Sequence, residues 1–324
     1  MNPNAYLVKD ILKLEQKATR DGYGDGLVLV GEKNKDVVVL CADLTESTRS
    51  LAFQKKFPKR FVELGVAEQN LASVAAGMAV AGKIPFISSY ATFSPGRNNE
   101  QIRTTICYNE ANVKIAGAHA GISVGPDGAT HQALEDIGLM RMMPNMTVVV
   151  PCDYEEAKKA TVSAAEIVGP IYLRFTREKG AMITTNHTPF KIGRAEVFKD
   201  GSDVVIFGCG PLIYNAIKVA LELEKERISV AVVNVHTIKP LDKDTILKYV
   251  HNTRAVVSVE EHQIYGGLGS AIAELLAKEM PVPMEFIGVN DSFGESGKPE
   301  ELIEKYGMGV ESIKKAVRKV LSRK

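Results

Sequence analysis

The sequence predicts an α/β protein of two domains, each a mostly parallel sheet covered by helices on both faces. Three observations predict it. Short runs rich in Val and Ile alternate with longer helical patterns; the alternation breaks once, near the middle; a second series of the same kind then follows. The chain has 324 residues, enough for two separate cores.

In the first series, "DVVVLCADL" is a buried strand, Val66–Ala81 a helix closed by Gly82, and "KIPFISSY" a strand. Next come a helix in "NNEQIRTTICYNE", a strand in "VKIAGAH" and a helix in "HQALEDIGLMRMM". "MTVVVP" is a strand, "DYEEAKKATVSAAEIV" a helix and "PIYLRF" a strand. The break falls in "EKGAMITTNHTPFKIGRAEVFKDG", which mixes Thr, Asn, Pro and Gly without periodicity. It sets the expected domains at 1–185 and 186–324. The second series runs through "DVVIFGCG", "IYNAIKVALELEKE", "ISVAVVNVHTI", "KDTILKYV", "AVVSVEE", "GSAIAELLAKE" and "MEFIGV". It ends in a basic amphipathic helix, which reads as a solvated face.

The net charge of +1 leaves no electrostatic footprint for nucleic acid or an anionic membrane. Cys41, Cys107, Cys152 and Cys209 form no CxxC pair, which fits a reducing cytoplasm better than disulfides or zinc. The N-terminal stretch is polar and amphipathic, with no signal-peptide core. No apolar run is long enough to span a bilayer.

Ligands gather at the carboxyl ends of strands in open α/β sheets, and the polar surprises fall there. "ADLTEST" puts Asp43 and Ser47 at the exit of the first strand, although Thr45 or Ser47 could equally cap a helix. "AGAHAGISVGPDGATHQ" gathers His119, Asp127 and His131 in one Gly-rich loop, a composition more often functional than structural. Its spacing matches no common zinc pattern. Arg174 in "YLRFTRE" suits an anion, and equally an ion pair. "GDG" at 24–26 precedes the first strand and lacks an Asn at the right distance, so it reads as a turn. "FGCGPL" and "EEHQIYGGLGS" are Gly-rich turns without a full dinucleotide fingerprint. Glu68 in "ELGVAEQNLAS" is an acid at the start of a helix of small apolar residues. A first-turn acid favoured by the helix dipole is its plain structural reading.

Taken in order, "CADLTEST", "ELGVAEQNLASVAAGMAVAGKIPF", "AGAHAGISVGPDGATHQALEDIGLMRMMPNMTVVVP" and "YLRFTREK" resemble the C-terminal half of a transketolase, from about Arg20 to Lys179. The long loop motif is specific to it; "GVAEQN" alone fits the wider thiamine-diphosphate superfamily. The resemblance implies a pyrimidine-binding domain followed by a transketolase C-terminal domain. It further implies the C-terminal subunit of a split transketolase.

Glu68 matches the family's acid against N1′ of the cofactor's aminopyrimidine. There it would share a proton and make the 4′-nitrogen basic enough to deprotonate the thiazolium. The resemblance places Asp43 on the cofactor side and Phe93 on the pyrimidine ring, although "SPGRNN" replaces the aromatics usual after that Phe. It gives His119 and Asp127 to the hydroxyls of a ketose donor, and His131, Ser47, Arg174 and Arg20 to its phosphate. No metal ligand is expected in this chain. Thiamine diphosphate would be completed by magnesium, or another divalent ion, held by an N-terminal partner subunit. Two of these chains would form the centre of a heterotetramer. The expected reaction moves a two-carbon ketol unit from a ketose phosphate such as xylulose 5-phosphate to an aldose phosphate, in the pentose phosphate pathway.

Three rivals stand beside this reading. A deoxyxylulose-phosphate synthase shares the acid helix and loop but usually lacks the His at position 119 and is normally one long chain. The β subunit of a 2-oxo acid dehydrogenase E1 has this length but a different loop. An idle regulatory partner would be expected to have lost Glu68, His119 and His131.

Overall fold

The computed structural model describes residues 1–11 and 13–324. The first series is β1 (Gln16–Ala18), α1 (Thr19–Lys33), β2 (Val37–Cys41), α2 (Leu51–Lys56), β3 (Phe61–Glu63), α3 (Glu68–Val80), β4 (Ile84–Tyr90) and α4 (Asn99–Gln101). It continues with β5 (Lys114–Ala118), α5 (Asp136–Met142), β6 (Thr147–Val149), α6 (Tyr154–Glu166), β7 (Ile171–Arg174) and β8 (Lys179–Ala181). The second is β9 (Glu196–Lys199), β10 (Val204–Gly208), α7 (Ile213–Lys225), β11 (Val230–Asn234), β12 (Thr237–Lys239) and α8 (Lys243–Thr253). It ends with β13 (Val256–Gln263), α9 (Leu268–Glu279), β14 (Met284–Val289), α10 (Pro299–Lys305) and α11 (Val310–Leu321).

Two large sheets result, as the two apolar series require, beside a two-stranded antiparallel pairing of β1 with β8. The first is seven-stranded, in the order β12-β6-β7-β5-β4-β2-β3, and the second five-stranded, in the order β14-β13-β10-β11-β9. All pairs in the first sheet are parallel except β12 with β6. In β2, β5 and β7 every residue is buried, because helices cover both faces. The register aligns the strand exits: Cys41 lies opposite Glu63 on one side and Ser88 on the other, and Gly117 lies between Ser89 and Arg174. Loops that follow these strands therefore meet along one edge.

The two halves interlock. The run "ISVAVVNVHTI" is not one strand: β11 stays in the second sheet, while β12 leaves it after His236 to extend the first. At the other end of the chain, Asn2 bonds the Val197 and Phe198 carbonyls, and Tyr214 Oη donates to the Ile11 carbonyl. One apolar cluster, including Leu40, Leu71, Ile87, Phe207 and Ile272, runs through both halves.

Three local expectations are corrected. The "GDG" segment lies inside α1, not in a turn. Its glycines are there for close approach: a Cβ at Gly24 would sit 2.7 Å from Arg49 Cβ, and one at Gly26 would sit 2.6 Å from Thr161 Cβ on α6. Just before the segment, a Cβ at Gly22 would sit 2.1 Å from the Tyr154 carbonyl oxygen, also on α6. Neither Thr45 nor Ser47 caps a helix, since α2 begins at Leu51 and Thr45 Oγ1 donates to Glu63 Oε2 instead. The helix read from His131 starts only at Asp136, because the preceding residues wrap the site loop.

Candidate functional site

Five strand exits of the first sheet carry the site. After β3, Gly65 turns the chain at φ +69° and Glu68 becomes the first residue of α3. The helix stops at Gly82, whose φ of +85° suits glycine at that position. Glu68 is 1% exposed. Its surroundings are polar, not the apolar ones the sequence implies: Ser89 Oγ donates to Oε1 at 3.1 Å and Arg97 Nη1 to Oε2 at 2.7 Å. Asn98 Nδ2 donates to the Glu68 carbonyl.

A continuous path of contacts leaves Glu68. Arg97 lies over the Phe93 ring, 4.7 Å from its centroid. Phe93 stacks on Tyr90 at 6.0 Å and meets His131 edge-on at 5.4 Å. Tyr90 stacks on His119 at 3.9 Å. Arg20 Nη1 reaches His119 Nε2 at 3.1 Å and the Ser47 carbonyl at 2.9 Å.

His119 is buried and adopts φ +54°. Burial, then the Arg20 guanidinium, then Arg177, Arg49 and His131 push its pKa down to about 3. The ring is therefore neutral at ordinary pH. Arginine only donates, so Nε2 accepts and the proton belongs on Nδ1, which has no hydrogen-bond partner among the described residues. His131 Nδ1 lies 2.9 Å from Thr130 Oγ1.

Beside this path opens a cleft of about 710 Å³ between the two halves. Arg20, Arg49 and Arg177 line one wall; Pro211, Tyr214 and Lys218 line the other. Arg49 Nε pairs with Asp21 at 2.6 Å, and Arg177 Nη1 with Asp127 at 3.1 Å. Burial and the neighbouring Arg49 lower the Arg20 pKa, with Arg177 adding to the effect. Arg20 Nε is buried without a hydrogen-bond partner among the described residues. Three crowded guanidiniums with a spare donor have the chemistry suited to a receptor for an anion.

Arg174 is not part of that receptor, which corrects the sequence expectation. It is 3% exposed and paired with Asp136, and its Nη2 also donates to the Ala133 and Glu261 carbonyls. It ends β7, a strand buried on both faces; Arg177, three residues on, is past the strand and reaches the cleft. Asp43 stands exposed at the exit of β2, at φ +57°, and its N–H donates to Glu63 Oε1. Sequence reasoning also passed over Arg49, Tyr90, Ser89 and Arg97. The available signal was position: all four lie at or just beyond strand exits. Among the described residues no group of three or more His, Cys, Asp or Glu side chains could hold a metal ion. No helix among them is long and apolar enough to cross a membrane.

The fold and site define a two-domain α/β chain whose polar centre lies at the carboxyl ends of a parallel sheet. Comparison with known proteins makes the assignment specific. Residues 15–181 match the transketolase pyrimidine binding domain, and residues 193–313 match the transketolase C-terminal domain. A protein of Methanocaldococcus jannaschii, provisionally named a transketolase C-terminal section, is 44% identical over 93% of this chain and 95% of its own length. The 6-deoxy-6-sulfo-D-fructose transketolase subunit SqwH of Clostridium sp. is 38% identical over 97% of each chain. A solved structure described as a split gene transketolase, inactive beta4 tetramer, superimposes with a TM-score of 0.89 at 46% identity, covering 95% of this chain and 99% of the other. The chain belongs to the transketolase family.

Proposed function

We propose that this chain is the C-terminal subunit of a split transketolase, transferring a two-carbon ketol unit from a ketose phosphate to an aldose phosphate. The observation that carries the reading is the contact path itself: a buried helix-start carboxylate joined through Arg97, Phe93, Tyr90 and His119 to an arginine cleft. One end suits a heterocycle and the other an anion.

The residues fit the pyrimidine end of thiamine diphosphate. Glu68 has a carboxylate with acceptor capacity beyond the two donors it now meets, and it would hold a proton at a ring nitrogen. Phe93 and Tyr90 offer aromatic faces beside it. When bound, thiamine diphosphate supplies the nucleophilic carbon and the electron sink. Its diphosphate and divalent ion, magnesium or another, are assigned to a separate N-terminal subunit. Asp43, exposed at the exit of β2, keeps its proposed cofactor-side place.

His119, neutral with its proton on Nδ1, donates to a sugar hydroxyl, and Asp127 accepts from another. Arg20, Arg49 and Arg177 hold the terminal anion, with His131 and Ser47 beside them. An anion there relieves the mutual repulsion of the guanidiniums, which favours a doubly charged group. The relatives' names include a subunit for a sulfosugar, so the identity of that anionic group is the open part of the specificity. Carried over from the solved relative's description, this chain self-associates and is inactive alone. A cytoplasmic location accords with four buried free thiols.

The test is reconstitution. The purified chain is mixed with a candidate diphosphate-binding subunit, thiamine diphosphate and magnesium, and transfer from xylulose 5-phosphate to ribose 5-phosphate is followed. Product from the mixture, and from neither chain alone, is expected. Product from pyruvate and glyceraldehyde phosphate instead would replace this reading with the synthase.

A further inference from the structure

The loop that carries His119, Asp127 and His131 is not supported by its own domain alone. Residues 122–127 form a short helical turn interrupted at Gly125, and the second domain grips it at several points. Glu261, near the end of β13 and 4% exposed, accepts the Ser123 N–H at 2.6 Å. Gln132, also 4% exposed, donates from Nε2 to the Ile122 carbonyl at 3.0 Å and to the Glu295 carbonyl at 2.9 Å. It thereby ties the loop to the segment before α10. The Gln263 N–H bonds the Leu134 carbonyl at 2.8 Å, and His262 Nε2 accepts from the Gly138 N–H at 3.3 Å.

The loop glycines show how closely the two surfaces fit. A Cβ on Gly121 would lie 2.3 Å from Glu261 Oε1, and one on Gly128 would lie 2.6 Å from Ser296 Oγ. A Cβ on Gly125 would lie 3.0 Å from Pro299 Cγ. All three glycines also have positive φ. The loop is therefore moulded on the second domain, and its free face turns to the first-domain site through Arg177, which donates to the Val124 carbonyl and Asp127.

We propose that the C-terminal domain is the brace of the sugar-binding loop, and that Glu261 is its central positioning residue, acting through the Ser123 N–H. Glu261 orders the loop so that Asp127 and His131 meet the ligand in one arrangement. This inference rests on the reading of residues 119–131 as the sugar-binding loop.

Hydrogen exchange of the intact chain tests it, with Glu261→Ala, Glu261→Gln and Gln132→Met compared against the wild type. In Glu261→Ala and Gln132→Met, exchange within 119–131 is expected to rise about tenfold, with the rest of the first sheet unchanged. Glu261→Gln keeps an oxygen for the Ser123 N–H and is expected to retain protection. If Glu261→Ala fails to fold, Gln132→Met and Glu261→Gln still carry the comparison. Unchanged exchange in the severed variants overturns the brace, as does Glu261→Gln loosening as much as Glu261→Ala. In parallel, ribose 5-phosphate is titrated into each chain reconstituted with the diphosphate-binding subunit, and weakening by about tenfold is expected wherever the loop loosens. A flat wild-type titration counts against the sugar-site reading, while exchange still decides the brace.

Discussion

Arg174 and Asp136 form a two-point ion pair in the core, with Nε 2.8 Å from Oδ2 and Nη2 3.1 Å from Oδ1. Tyr172 Oη adds a third donor to Oδ2 at 2.6 Å. Burial alone would raise the Asp136 pKa, but the Arg174 guanidinium overrides it and holds the carboxyl below its usual range. A depressed carboxyl contributes stability that is present above its unfolded pKa and lost as pH falls through the folded value.

Arg174→Met strands Asp136 without its charge partner. The expected cost is about 3–5 kcal/mol, read by urea unfolding at neutral pH. Sugar-phosphate affinity in the fraction that stays folded should change little.

Arg177→Met should do the reverse. Its guanidinium is part-exposed at the cleft, so urea unfolding should barely move. Losing one charge-assisted contact to the anion should weaken ribose 5-phosphate binding by roughly tenfold to a hundredfold, from about 1.5–3 kcal/mol.

His119 offers a pH test. Its folded pKa, about 3, lies below the ordinary 6.5, so the unfolded chain takes up a proton that the folded chain refuses. The cost begins as pH drops below the unfolded value and grows by at most about 1.4 kcal/mol per pH unit. Comparing urea unfolding of wild type and His119→Gln between pH 7 and pH 5 isolates this group. The variant should gain relative stability as the pH falls; a constant difference would show that His119 charges normally in the fold.

Gly22→Ala tests the packing of α1 on α6. In an exposed helix the change would favour the helix by about 1 kcal/mol. Here the new Cβ meets the Tyr154 carbonyl oxygen, so a net loss of about 1–3 kcal/mol is expected from thermal unfolding.

The α/β alternation was legible because strands buried on both faces read as unbroken apolar runs, and Glu68, His119 and His131 were legible because they interrupt such patterns at strand exits. Arg174 was misplaced because a strand's end, uncertain by a residue or two, decides whether an arginine faces the core or the cleft. "GDG" misled because glycine normally breaks helices, and only the approach of α6 shows why α1 needs it. The crossing of β12 was hidden because "VVNVHTI" is apolar throughout, and nothing local marks a strand changing sheets. The polar shell of Glu68 comes from Ser89, Arg97 and Asn98, distant in sequence, and so lay outside any local pattern.

The central claim is that Glu68 takes part in the chemistry rather than in holding the helix. The most direct measurement is the single-turnover rate of ketol transfer by the reconstituted complex with wild-type chain and with Glu68→Ala, at matched assembly by sedimentation. A fall of about 10²–10⁴ with assembly intact is predicted. Near-equal rates would contradict it.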